Sequence, residues 1–238
     1  MLASVTSVQE ALIALEAGVD IIDLKNPAEG ALGALPLSAI RQIVVAIDGR
    51  KCISTTIGDL PMQPEVLVQS VNRVMDTGID IIKVGFFANN NHLNDDSLAC
   101  IHALKPAAAR GARLVAVMMA DQNPCLELLP DFKRAGFYGV MLDTAKKDGN
   151  SLLEYVLYEN LQKFVGDSLG FELKVGLAGA LKPEHISALV KLSPSYLGFR
   201  GAICTNLQRN SPISRFKVME IKELLHKSNK ALNHAVYA

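Results

Sequence analysis

Tryptophan is absent from this chain, and aromatic residues of all kinds fill only 5% of its 238 positions. A core without large rings must be assembled from Val, Ile, Leu and Ala, which suits a parallel sheet buried on both faces. Net charge is missing too: 24 basic residues offset 24 acidic ones. No broad basic field exists to draw in nucleic acid or an anionic membrane, so neither is expected as a partner. Any anionic ligand would have to be held by a local pocket. No apolar run nears the ~20 residues that span a bilayer. The first residues also lack the basic-then-apolar pattern of a secretion signal. A cytoplasmic location is the expectation. The four cysteines (Cys52, Cys100, Cys125, Cys204) show no C-x-x-C spacing and read as reduced thiols. The five histidines are equally scattered, so no metal site is expected.

What is present is a repeating alternation. Short β-branched runs predict strands over residues 2–5, 19–24, 51–57, 79–85, 113–119, 138–143, 172–178 and 196–201. Amphipathic stretches between them predict helices. Ser7 reads as an N-cap, and Glu10 three residues later completes a capping box. Glycines such as Gly18, Gly78 and Gly111 close the helices. Pro183 opens one at its first turn. A helical region over 152–169 is expected to break near Glu159. The last helix is predicted over 213–226, and residues 228–238 carry no apolar stripe, so a frayed or docked tail is expected. No linker divides the chain. Eight strand–helix units predict a single-domain α/β fold, a (β/α)8 TIM barrel over residues 1–227. A doubly wound open sheet is the alternative, though no G-x-G-x-x-G follows a strand. Association through the outer helices into a homo-oligomer is an expectation from fold class alone.

Barrel enzymes place their site at the carboxyl ends of the strands. Those ends are charged here: Asp23 and Lys25, Lys83, and Asp143, with Asp59, Asp121 and Lys147 in the loops beyond. Asp23 and Lys25 are two apart and share a face. Lys83 sits inside an apolar strand, where lysine is rarely buried without a partner. The plain alternative is a structural ion pair with Asp23 or Asp143. The functional alternative is an amine kept partly neutral by desolvation and neighbouring cations, able to attack a carbonyl or take a proton. On the residues alone Lys83 is the preferred nucleophile. The glycine-containing ends of strands seven and eight, at Gly179 and at Arg200-Gly201, suggest a phosphate cradle, with Arg200 adding a bidentate contact. Arg209 and Arg215 read as ordinary surface residues. A Schiff-base enzyme acting on a small phosphorylated aldehyde or ketone is as far as the residues go.

Several strings extend that reading. Residues 23–33 read Asp-Leu-Lys-Asn-Pro-Ala-Glu-Gly-Ala-Leu-Gly, 56–61 Thr-Ile-Gly-Asp-Leu-Pro, and 82–85 Ile-Lys-Val-Gly. Residues 141–149 read Met-Leu-Asp-Thr-Ala-Lys-Lys-Asp-Gly, 177–179 Leu-Ala-Gly, and 198–202 Gly-Phe-Arg-Gly-Ala. Together they resemble the (5-formylfuran-3-yl)methyl phosphate synthase family over nearly the whole chain. The resemblance implies a (β/α)8 barrel that joins two molecules of glyceraldehyde 3-phosphate into 4-(hydroxymethyl)-2-furancarboxaldehyde phosphate, for methanofuran or an analogue, with no cofactor. It implies that Lys25 forms the Schiff base and Lys83 is the general acid/base, reversing the order read from the residues. Asp23, Asp143 and Lys147 map to supporting positions, with Lys146 at a variable one. Two rivals stay open: another Schiff-base aldolase or isomerase on the same barrel, and a catalytically silent barrel used as a scaffold.

Overall fold

The computed structural model describes residues 1–87, 93–146 and 148–236. Eight parallel strands close into a barrel: β1 (Leu2–Val5), β2 (Ile21–Leu24), β3 (Cys52–Thr56), β4 (Ile81–Phe86), β5 (Arg113–Met119), β6 (Gly139–Asp143), β7 (Lys174–Leu177) and β8 (Tyr196–Phe199). Each pairs with its successor, and β8 returns to β1. The helices α1 (Val8–Glu16), α2 (Leu37–Ile47), α3 (Pro64–Met75), α4 (Leu93–Ala109), α5 (Leu129–Arg134), α6 (Leu152–Tyr155), α7 (Tyr158–Gly170), α8 (Ile186–Val190) and α9 (Arg215–Val236) follow the strands in order. The (β/α)8 barrel expected from the alternation is therefore the fold.

The period of two along each strand divides the side chains between two cores. Ile22, Leu24, Ile82, Val84, Leu114, Ala116, Val140 and Leu142 point outward into the layer beneath the helices. Each of the Val, Leu and Ile side chains among them contributes roughly 1.5–3 kcal/mol on burial. The alternate set points inward. Leu2, Ile81, Val115, Met141 and Tyr196 fill the barrel, while Ala31 and Leu32 of the loop after β2 pack down from its mouth. Above the apolar filling the inward positions turn polar. Register places Ser4, Asp23 and Ser54 side by side on β1, β2 and β3, and Thr56 beside Lys83.

Differences from the expected elements have local causes. The stretch after β5 forms two short 3-10 turns, Ala120–Gln122 and Leu126–Leu128, before α5, because Asn123 adopts a left-handed conformation between them. The helical region after β6 breaks at Val156, whose backbone is extended, three residues ahead of the expected point. Glu10 does not complete a capping box. Ser7 accepts from the Glu10 N–H, but the Glu10 carboxylate bonds Thr6 instead. α9 continues to Val236, ten residues beyond its expected end at His226, so most of the expected tail is helical. Among the described residues no helix is long and apolar enough to cross a membrane.

Candidate active site

The carboxyl ends of the strands enclose a cavity of about 520 Å³. Its floor is Leu2, Met141, Ala178 and Gly198, and its polar wall includes Asp23, Lys25, Lys83 and Asp143. These four charged side chains come from β2, its loop, β4 and β6, and they sit in two ion pairs. Lys83 Nζ lies 2.6 Å from Asp23 Oδ1, and Lys25 Nζ lies 3.2 Å from Asp143 Oδ2. Lys25 is 7% exposed, Lys83 2%, Asp143 4% and Asp23 0%. Water therefore screens none of them well, and each charge depends on its partner.

Asp23 is the most enclosed. Its strand neighbours Ser4 and Ser54 donate hydroxyl hydrogen bonds at 2.8 and 2.7 Å, and Lys83 supplies the third donor. Three donors on one carboxylate make it a fixed counter-ion. Burial pushes the Lys83 amine below the ordinary lysine range, and the nearby Lys25 cation adds to this against the pull of Asp23 and Asp143. Lys83 is thus both the ion pair that the plain sequence reading allowed and an amine whose neutral form is made more accessible. Asp143 Oδ1 accepts from the Thr144 N–H at 2.8 Å, which aims Oδ2 at Lys25.

Two further aspartates shape the mouth. Asp59 accepts from the N–H groups of Ala31 and Leu32 at 2.8 and 2.6 Å, pinning the loop after β2. Asp121 does the same for Ala145 and Lys146 after β6, at 2.7 Å each. Lys147 lies outside the described residues. The β2 loop also closes on itself. Asn26 donates to the Gly33 carbonyl at 2.8 Å, and Thr56 Oγ1 donates to the same oxygen at 3.0 Å. A Cβ at Gly33 would stand 2.3 Å from the Asn26 carbonyl oxygen and 2.6 Å from that of Glu29. Gly33→Ala is expected to shift this loop, lowering stability by about 1–3 kcal/mol. Thermal unfolding checks this; an unchanged midpoint would show that the loop absorbs the methyl group.

Of the expected phosphate cradle, Gly179, Arg200 and Gly201 all line the cavity. Gly179 has φ +105°, and a Cβ there would meet Thr144 at 2.8 Å, so the turn requires glycine. Gly201 carries no such constraint. Arg200 departs from expectation because its guanidinium is fully committed within the protein. Nε donates to the Arg209 carbonyl, Nη1 to the Ser4 carbonyl and Glu10, and Nη2 to Glu10 and the Ser211 carbonyl. Those contacts use all five of its N–H hydrogens. Burial pushes the Glu10 carboxyl up, but Arg200 and Thr6 outweigh it and hold Glu10 below the usual carboxylate range. Arg200 is therefore a structural pin between α1 and the β8 loop, and no hydrogen remains on it for a bidentate phosphate contact.

Reading only the strand ends for charge overlooked Ser4 and Ser54, although both occupy the inward parity at the level of Asp23. Arg209, read as a surface residue, lies half-buried in the cavity wall. Nothing in its local sequence marks it, since it stands in an irregular turn.

Known proteins resemble this chain over nearly its whole length. A family model described as 4-HFC-P synthase matches residues 1–222. The (5-formylfuran-3-yl)methyl phosphate synthase of Methanocaldococcus jannaschii is 36% identical over 232 residues, covering 94% of this chain and 98% of its own. That of Methanothermobacter thermautotrophicus is 35% identical over 233 residues, with the same two coverages. Among solved structures, phosphoribosyl anthranilate isomerase from Thermus thermophilus superposes with a TM-score of 0.66 at 15% identity, covering 95% of this chain and 98% of its own. The 3-hexulose-6-phosphate synthase from Salmonella typhimurium gives 0.63 at 16% identity, with the same coverages. At those identities the structures speak for the barrel alone. The sequence relatives say more: with its two buried lysine–aspartate pairs in one barrel mouth, this chain belongs to the 4-HFC-P synthase family, enzymes named (5-formylfuran-3-yl)methyl phosphate synthase.

Proposed function

We propose that the enzyme condenses two molecules of glyceraldehyde 3-phosphate into 4-(hydroxymethyl)-2-furancarboxaldehyde phosphate through a Schiff base on Lys25. The observation that carries this reading is the pairing of two buried lysines with two buried aspartates inside one cavity. Lys25, the more exposed amine, adds to the substrate carbonyl, and loss of water gives an iminium. Asp143, 3.2 Å away, is placed to hold the iminium charge and to move the protons of its formation. The iminium acidifies the adjacent C–H. Lys83, with its lowered proton affinity, suits the role of the base that removes that proton. Phosphate is then expelled from the neighbouring carbon. The second glyceraldehyde 3-phosphate reacts as its ketone isomer, reached by moving a proton from C2 to C1, and the three-carbon unit adds to that ketone carbon in an aldol step. Ring closure and loss of two waters complete the furan, and hydrolysis of the iminium releases it from Lys25. Six carbons and one phosphate remain; one phosphate and two waters leave. Asp23 fixes Lys83 in place, and Lys147 is assigned a supporting role by its position in the family motif. The backbone N–H groups of Gly179 and Gly201, which have no acceptor among the described residues, serve the retained phosphate. Methanofuran or an analogue is the proposed destination of the product.

Glyceraldehyde 3-phosphate supplied alone is expected to yield a near-ultraviolet chromophore together with inorganic phosphate. A furan aldehyde absorbs there, whereas simple aldol and isomerase products do not. Consumption of substrate without the chromophore would replace this reading with an aldolase or isomerase, and no consumption would leave a silent barrel.

A further inference from the structure

Four cationic side chains line the interior of the cavity wall, with Lys182 exposed at its rim. Three of the four face a carboxylate: Lys25 faces Asp143, Lys83 faces Asp23, and Arg200 faces Glu10. Arg209 differs. Among the described residues its partners are two carbonyl oxygens, those of Pro27 at 2.5 Å and Gly30 at 2.8 Å. Both are reached through a single nitrogen, Nη2. The Nε and Nη1 hydrogens have no acceptor among the described residues. A half-buried guanidinium with unpaired donors is costly unless a ligand covers them. The two Nη1 hydrogens are free to donate, with the full charge of the group behind them, to an anionic oxygen such as a phosphate's. The N–H groups of Gly179, Ala180, Gly201 and Ala202 line the same cavity, and none has an acceptor among the described residues.

We propose that Arg209, and not Arg200, takes the phosphoryl group of the substrate, donating to it from Nη1 while Nη2 holds the loop after β2. The choice of a phosphorylated aldehyde rests on the function proposed above. Because Pro27 lies two residues beyond Lys25, one guanidinium ties phosphate occupancy to the placement of the reactive amine. A phosphate on Arg209 draws the β8 and β2 loops onto the same group. An unphosphorylated aldehyde forgoes that contact and meets Lys25 without it.

The test has two arms. The first is calorimetric titration of inorganic phosphate into the wild-type enzyme, Arg209→Gln, Arg209→Lys and Lys182→Gln. The second is borohydride trapping with glyceraldehyde 3-phosphate and with glyceraldehyde. Loss of one charge-assisted pair corresponds to a weakening of about 10- to 100-fold. Arg209→Gln is expected to bind phosphate that much more weakly and to raise the KM for glyceraldehyde 3-phosphate in parallel. Trapping of glyceraldehyde should fall less than trapping of glyceraldehyde 3-phosphate, since for the unphosphorylated aldehyde only the loop brace is lost. Arg209→Lys keeps the charge but cannot hold the loop and the phosphate from separate nitrogens, and should fall between the two, which keeps the test open should the glutamine variant fold poorly. Phosphate binding unchanged in both Arg209 variants, lost only in Lys182→Gln, or absent from the wild type overturns the proposal. So does an equal loss of trapping for both aldehydes, which would leave Arg209 a loop brace only. If the wild-type enzyme traps neither aldehyde, the covalent reading fails while the phosphate titration still decides Arg209.

Discussion

Lys25→Ala is expected to lose the borohydride-trapped adduct altogether and to lower turnover by more than about a thousandfold, as removal of a covalent nucleophile does. The fold should survive, since Lys25 stands at the edge of the cavity and its partner Asp143 keeps the Thr144 N–H. Lys83→Ala should also abolish turnover but retain the adduct, because proton removal follows iminium formation. Mass spectrometry of the trapped protein separates the two variants. An adduct that persists in Lys25→Ala and vanishes in Lys83→Ala would assign the nucleophile to Lys83, the order that its burial alone suggests. The competition between the two lysines comes down to access against proton affinity. Lys83 has the lowered affinity, but its amine is held at 2.6 Å by a carboxylate that two serines also orient. Lys25 has the looser pairing at 3.2 Å and opens to the same cavity.

Asp23→Asn is expected to carry a large stability cost. It leaves the Lys83 ammonium buried without a counter-charge, which costs about 3–5 kcal/mol. In a domain of this size that corresponds to a fall in Tm of roughly 6–20 °C. The pH dependence has a definite sign. Lys83 in the folded protein already holds its proton less tightly than in the unfolded chain. Between those two affinities the unfolded state binds more protons, so stability from this group rises with pH. Loss of Asp23 lowers the folded affinity further and extends that window downward. The deficit of the variant should therefore shrink as pH climbs from its own Lys83 pKa toward that of the wild-type enzyme. Adding Lys83→Met should restore most of the lost stability, because an apolar side chain replaces an unpaired ion. Thermal unfolding of both variants across a pH series checks this. A deficit that ignores pH and is not relieved by Lys83→Met would mean that Asp23 acts through its serine contacts instead.

The barrel was readable because its requirements are local and repeated. A strand such as Arg113–Met119 announces itself as an unbroken apolar run, and its observed bounds match the expected ones. Parity likewise puts Ile81 and Lys83 on one face of their strand, and Met141 and Asp143 on one face of theirs, without saying which face turns inward. Legibility ended where a side chain's meaning depends on a distant partner. Arg200 was expected to bind phosphate because it ends a strand beside glycine. Its role is decided by Glu10, 190 positions away, which the sequence casts as a helix cap. Arg209 failed in the opposite direction, since an arginine in an irregular turn carries no periodicity to reveal that it faces inward. The continuation of α9 to Val236 was missed because residues 228–236 lack an apolar stripe, although Leu232 among them packs against the core.

Asp59 and Asp121 hold the loops around the mouth by their peptide N–H groups and not by their side chains. Every residue but proline offers the same hydrogen at the same place. The grip itself is therefore indifferent to the side chains of Ala31, Leu32 and Ala145, while the burial of Ala31 and Leu32 in the inner core sets what those positions accept. Anchoring and packing are separate demands on the same loop. The two aspartates are the fixed points of the mouth, and the apolar side chains beside them answer to the barrel's interior instead.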